Sequence, residues 1–309
     1  MDKGDNMSFT STVKNEVSKL EINEIDIITE LSAIIKNTSV ITDNIKITTE
    51  NASVARRIFL SIKILFNYIS KITVRRGYNF NKNYIYIIEI NKSIDLIKNK
   101  LSLDTNIPKE YIYDDIDLKR AYLRGLFLAS GSINDPKKSR YHLEFLLETK
   151  EYALFINDLL NSFRLNSKVL KRDNKYMVYI KEAEKIGDFL RIINATNAVF
   201  YFEDIRIYRD HKNMTNRLNN CEQANVDKII ETATKQIKDI EIIENNDALD
   251  LLDDKVKEVI VYRKKYPEVS LTELSEIISI ETGKKITKSG IYHRMNKIKE
   301  LAKKIKEKN

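Results

Sequence analysis

Apolar and polar positions along the first two thirds of the chain follow one order of elements, used twice. Ile27, Ile28, Leu31, Ile34 and Ile35 fall at helical spacing within residues 25–36. Val40-Ile41, a turn at Asp43-Asn44 and the alternating Ile45-Lys46-Ile47-Thr48 then read as a hairpin. A long helix is predicted over 52–69, strands over 72–76 and 84–90, and a short helix over 93–99. The second copy opens with a helix over 118–129. Strands at 132–133 and 142–147 follow, flanking a loop that contains Pro136. A helix over 150–163, strands over 168–171 and 175–180, and a helix over 183–193 complete it. Both copies read αββαββα, so the pattern predicts a duplicated α+β body whose like elements pack about a pseudo-twofold axis.

Beyond the body, Asp204-Ile205-Arg206-Ile207 alternates and suggests one more strand. The polar stretch 209–222 reads as a solvated connector with a helix start, in preference to the alternative of a second phosphate-contacting patch from Arg209, Lys212 and Arg217. Residues 224–244 read as a long helix, apolar at Val226, Ile229, Ile230, Ala233, Ile237, Ile240 and Ile243. Three further helices are expected. The first covers 251–266 and is closed by Pro267. The second covers 271–278, with Ser270 and Glu273 as a capping box. The third covers 288–306, with Thr287 as its N-cap. In this last helix Ile291, Met295, Ile298, Ala302 and Ile305 form a single seam. The expected organisation is residues 1–6 as a frayed or non-native start, 7–212 as the duplicated domain (halves 7–100 and 101–212), 213–245 as linker and helix, and 246–309 as an all-α module.

Charge sharpens the last assignment. The chain carries 53 Lys and Arg against 45 Asp and Glu, a net charge of +8. Residues 283–309 hold ten cations and two acids, so they carry the whole excess and the rest is neutral. A basic excess gathered on the last helix of a tri-helical unit points to a polyanion, and to a helix-turn-helix whose final helix enters a DNA groove. Lys284, Lys285, Lys288, Ser289, Tyr292, His293, Arg294 and Lys297 are the candidate DNA-binding residues. The helix start would meet bases and the flanking cations phosphates.

Composition removes other chemistries. One cysteine, Cys221, allows no intramolecular disulfide. His142, His211 and His293 are too scattered for a local metal motif, and no cofactor is implied. His211 and Cys221 lack a third group and are rejected as a catalytic pair. No apolar run approaches the length of a membrane helix, and no secretory signal is seen. A cytoplasmic, nucleoid-associated protein is expected.

The sharpest local motif is Tyr122-Leu123-Arg124-Gly125-Leu126-Phe127-Leu128-Ala129-Ser130-Gly131-Ser132. Mid-helix Gly125 costs up to about 1 kcal/mol relative to Ala, which close approach of another helix backbone would offset. The first copy has Ala33 at the matching place. The motif resembles the LAGLIDADG homing-endonuclease helix, two of which pack at the pseudo-twofold axis. Active members of that family bind a divalent metal through an acid near each helix end. The aligned positions here are Thr38 and Ser130, and the motif's other acidic position is Leu128, so the scaffold resembles a nuclease without its catalytic acids. Asp43 and Asp135 are nearby and read as turn residues.

A wider resemblance covers nearly the whole chain. Met7-Ser8-Phe9 with Val13-Lys14-Asn15-Glu16, Thr49-Glu50-Asn51, and Arg120 through Ser132 belong to it. So do Tyr141-His142-Leu143-Glu144, Phe202-Glu203-Asp204, Asn219-Asn220-Cys221-Glu222 with Ala224-Asn225, and Lys288-Ser289-Gly290-Ile291 with His293-Arg294. These are similar to WhiA, a bacterial family that fuses a degenerate LAGLIDADG domain to a C-terminal helix-turn-helix. Tyr292 departs from the polar Asn that this resemblance leads one to expect. The resemblance implies a non-catalytic regulator that binds double-stranded DNA, with a protein partner in transcription or division. In sporulating filamentous bacteria the family controls sporulation septation, and in other Gram-positive bacteria it is linked to cell division and chromosome segregation. The family's usual start, and a ribosome-binding sequence encodable by Lys3-Gly4-Asp5, suggest initiation at Met7. The competing readings are an active endonuclease and a protein-interaction scaffold with incidental DNA binding.

Overall fold

The computed structural model describes residues 7–21, 23–77, 84–138 and 140–307; the expectation for residues 1–6 lies outside the described residues. Two compact units emerge, Met1–Arg209 and Asp210–Asn309.

The first unit opens with a helix that the sequence reading passed over, α1 (Phe9–Val17), capped by the Ser8 hydroxyl and burying Phe9, Val13 and Val17. Then come α2 (Glu24–Thr38), β1 (Ser39–Ile41), β2 (Ile45–Thr49), α3 (Ala52–Phe66), β3 (Lys71–Arg76), β4 (Tyr84–Ile90) and α4 (Ile94–Lys100). The second copy is α5 (Ile116–Ser130), β5 (Gly131–Ile133), β6 (Leu143–Leu147), α6 (Lys150–Ser162), β7 (Lys168–Arg172), β8 (Lys175–Ile180) and α7 (Ala183–Ile192). The fold is α+β, with the αββαββα order present twice. Each copy makes one antiparallel four-stranded sheet of the same strand order, β1-β2-β4-β3 and β5-β6-β8-β7. In the first, Ile45 and Ile47 pair with Ile90 and Ile88; in the second, Leu143 and Phe145 pair with Ile180 and Val178. These residues are buried, because strand alternation turns them all to one face.

At the centre α2 packs along α5. Gly125 permits this: a Cβ built there would lie 2.3 Å from the Glu30 carbonyl oxygen. The Glu30 side chain is itself buried and accepts hydrogen bonds from two guanidinium groups, through Arg57 Nε and Nη2 and through Arg124 Nε at 2.7 Å. Arg57 also donates to the Ser18 and Leu20 carbonyls, tying the end of α1 to the same point.

The alternation at 204–207 does not make a strand. Those residues lie within one helix, α8 (Thr196–Asn245), which also runs through the polar stretch 209–222 expected as a connector and through 224–244. Four alternating residues cannot outweigh the helical spacing of Ala198 and Phe202, which bury into the first core. The Glu16 carboxylate caps the first turn of α8, accepting from the Asn197 and Ala198 amides at 2.6 and 3.0 Å. Arg209, expected in the phosphate-contacting patch, is held locally: its guanidinium donates to the Pro136 and Lys138 carbonyls and covers the Tyr141 ring.

In the second unit, α9 (Asp254–Lys265), α10 (Leu271–Thr282) and α11 (Lys288–Lys306) bury their apolar faces with Ile240 and Ile243 of α8. α9 starts three residues later than its periodicity suggests, because residues 249–251 form a 3-10 turn and Asp253 supplies the N-cap.

Candidate nucleic-acid interface

The geometry of the C-terminal unit follows from its caps. Ser270 and Glu273 form the reciprocal capping box that opens α10. α10 closes on Gly283 at φ +68°, the left-handed conformation that glycine adopts without a Cβ penalty. The turn that follows is pinned by the Ser279 hydroxyl, which accepts from the Ile286 amide at 2.9 Å. Thr287 then caps α11 through the Gly290 amide. Ile291, Met295, Ile298 and Ala302 are buried along the seam, so the opposite side of α11 faces solvent.

Lys284, Lys285, Lys288, Ser289, Tyr292 and His293 are all exposed and are gathered on the entry turn and the first two turns of α11. Tyr292 and His293 meet edge to face, 6.1 Å between ring centroids. Tyr292 also borders a groove of about 430 Å³ with Gln236, Met295, Asn296 and Lys299. The remaining two candidates are turned toward α9. Arg294 is half-buried, with its guanidinium 4.0 Å from the Glu258 carboxylate. Lys297 donates to Asp253 at 3.0 Å. That hydrogen bond, with the one from the Val256 amide, holds the Asp253 carboxyl below its ordinary range. Glu258 and Asp253 were not identified from sequence, since each lies at least 36 positions from its partner.

The helix ends that would hold catalytic acids in a nuclease carry hydroxyls used locally. Thr38 Oγ1 donates to the Ile34 carbonyl at 2.8 Å, and Ser130 Oγ donates to the Leu126 carbonyl at 3.4 Å. Leu128 is buried apolar surface. Asp135 accepts from the Lys137 amide as a turn residue, and Asp43 lies exposed in the β1–β2 turn. Among the described residues no group of three His, Cys, Asp or Glu is arranged to hold a metal ion. No described helix is long and apolar enough to cross a membrane.

The motif residues of the first unit build its frame. Asn51 caps α3 through the Val54 amide and donates to Asn15 of α1 at 2.9 Å. Thr10 both donates to and accepts from the Ile133 backbone, fixing α1 to β5. His142 contacts Glu144 at 2.9 Å.

Comparison with known proteins agrees with this arrangement unit by unit. Residues 25–104 match the WhiA N-terminal LAGLIDADG-like domain, 119–212 the WhiA LAGLIDADG-like domain, and 215–302 the WhiA C-terminal HTH domain. A relative from Bacillus cytotoxicus, named "Probable cell division protein WhiA", is 45% identical over 97% of this chain and 98% of its own. One of the same name from Oceanobacillus iheyensis is 41% identical over the same shares. The crystal structure of full-length DUF199/WhiA from Thermatoga maritima aligns with a TM-score of 0.58 at 25% identity, covering 96% of this chain and 99% of that one. With the duplicated body, the hydroxyls at its two helix ends and the C-terminal helical unit all in place, and with this identity over nearly the whole length, the chain belongs to the WhiA family.

Proposed function

We propose that this chain is a non-catalytic, sequence-preferring DNA-binding protein that regulates transcription in bacterial cell division. Double-stranded DNA is its partner, and the nucleoid is its place of action. The observation that carries the reading is α11: a helix capped at its start and anchored by an apolar seam, with Lys288, Ser289, Tyr292 and His293 exposed on its first two turns and Lys284 and Lys285 exposed on the turn that leads into it. Such a helix start offers backbone amides and cations to phosphates, and side chains to base edges. The name carried by relatives at 41–45% identity supports the cell-division context. A role in chromosome segregation or sporulation septation would follow from the same DNA-reading unit.

The body serves as a scaffold without nuclease chemistry. Phosphodiester cleavage needs carboxylates that hold a cation and activate water. Thr38 and Ser130 instead donate to their own helix backbones.

Selecting duplexes from a random pool with the full chain tests the proposal. One enriched sequence, bound with magnesium and left uncut, is the expected outcome. No enrichment, or magnesium-dependent cleavage abolished by Asp43→Asn or Asp135→Asn, would contradict it.

A further inference from the structure

Residues 210–228 of α8 are exposed on every side, nineteen consecutive positions of helix without one buried or half-buried side chain. Helices in proteins draw most of their stability from a buried face; a helix exposed all round is typical of a connection between domains, and it leaves every side chain of this stretch open to a partner. Its residues are poor helix formers as well. Five of the nineteen are asparagine, against 29 in the 309 residues of the chain, so the run is about three times richer in Asn than the background composition explains.

The placement of these residues is ordered. At about 100° per residue, Asn213, Asn216 and Asn220 fall on one line along the helix. Lys212 lies about 70° to one side of that line and Arg217 about 70° to the other. Of the three acids in the run, Asp210 and Glu222 stand about 90° and about 150° away, while Asp227 lies near the line about two turns beyond Asn220 and accepts the Gln223 amide at 2.9 Å. Met214, Leu218 and Cys221 occupy the far side, all exposed.

We infer that this bare segment is a second DNA-reading helix, in which Asn213, Asn216 and Asn220 address base edges in a major groove while Lys212 and Arg217 reach the phosphates on either side. An Asn amide presents a donor and an acceptor side by side, the pattern that pairs with the N6 and N7 edge of adenine. A helix fits the width of the major groove, and cations on both flanks suit the two strands that border it. From Lys212 to Asn220 the helix rises about 12 Å, the length of three to four base pairs. The inference rests on the proposed DNA-binding function and adds to it a recognised sequence beyond that read by α11.

The test uses the full chain and the duplex it selects. Asn213→Ala/Asn216→Ala/Asn220→Ala cannot fail through unfolding of α8, because Ala is the better helix former at each exposed position. The triple variant is expected to lose at least tenfold of the preference for the selected duplex over a scrambled one, with the salt dependence of binding unchanged and about four base pairs of protection gone from the footprint. Lys212→Ala/Arg217→Ala should lower the slope of log K against log salt by about 2 and weaken both duplexes alike. Full discrimination and an intact footprint in the triple variant would overturn the inference while leaving the reading of α11 standing. Loss of a protein contact on Met214→Glu/Leu218→Glu, with DNA discrimination intact in the Asn variant, would overturn it in favour of protein docking. Failure of the unaltered chain to bind any duplex would remove the underlying function and this inference with it.

Discussion

The Cα of Gly125 faces the carbonyl oxygen of Glu30 so closely that a Cβ would stand 2.3 Å from it. The atom in the way is backbone, so relief requires α2 and α5 to separate. Gly125→Ala should destabilise the protein by about 1–3 kcal/mol net, even after the roughly 1 kcal/mol that Ala gains inside a helix. Urea unfolding measures it; an unchanged or raised midpoint would contradict the packing described.

The same carbonyl belongs to a residue whose carboxylate holds Arg57 and Arg124 in the interior. Removing it leaves the buried Arg57 guanidinium without its counter-charge and Arg124 with only Asp26, 3.7 Å away. Glu30→Ala is expected to cost about 3–5 kcal/mol, whereas the exposed pair of Lys235 with Glu231 is screened by solvent and holds the fold far more weakly. Comparing unfolding of Glu30→Ala and Glu231→Ala checks the ordering, and equal effects would contradict it.

Lys14 gives the stability a pH dependence of known sign. Burial lowers its pKa from the ordinary 10.5 to about 8, partly offset by Glu50. Between pH 8 and 10.5 the unfolded chain therefore binds more protons at this site than the fold does, and stability rises with pH across that window. Below pH 8 the cost of the enclosed charge is fully present. Tyr152, pushed up to about 12 by burial, acts in the opposite direction, and only above pH 10. Unfolding titrations of Lys14→Met between pH 7 and 9.5 should show the rise flattened; a rise equal to that of the unaltered chain would contradict this assignment.

Arg294 was expected among the base-contacting residues, and its geometry leads to a different prediction. It is half-buried, with its guanidinium 4.0 Å from the Glu258 carboxylate of α9. Arg294→Ala and Glu258→Ala should each destabilise the C-terminal unit by roughly 1 kcal/mol and weaken selected and scrambled DNA by similar factors. A change of preferred base on Arg294→Ala, absent in Glu258→Ala, would return Arg294 to base readout.

Much of this was legible in the chain because it rests on local chemistry. The repeated αββαββα order follows from apolar spacing, and the close approach at Gly125 was foreshadowed by a glycine inside a helical pattern. The Ser270–Glu273 box and the Thr287 cap lie within four residues of the helices they open. What escaped depends on partners distant in sequence. The Asp204-to-Ile207 alternation looked like a strand until Ala198 and Phe202 were seen to bury as helix residues. Arg209 looked like a free cation, although its carbonyl partners at Pro136 and Lys138 lie more than seventy positions away. α1 was readable in principle, since Phe9, Val13 and Val17 repeat every four residues behind a serine cap. Arg294 and Lys297 lie on the basic helix, and only the fold shows them turned toward α9.

In the proposed function the open side of α11 holds DNA. Fluorescence anisotropy of the full chain with its selected duplex, across a salt series, tests it most directly. About six phosphate contacts predict a slope near −5 in log K against log salt, and Lys285→Glu/Lys288→Glu should reduce affinity at least a hundredfold at constant fold. A flat salt dependence, or unchanged affinity in that double variant, would contradict the account.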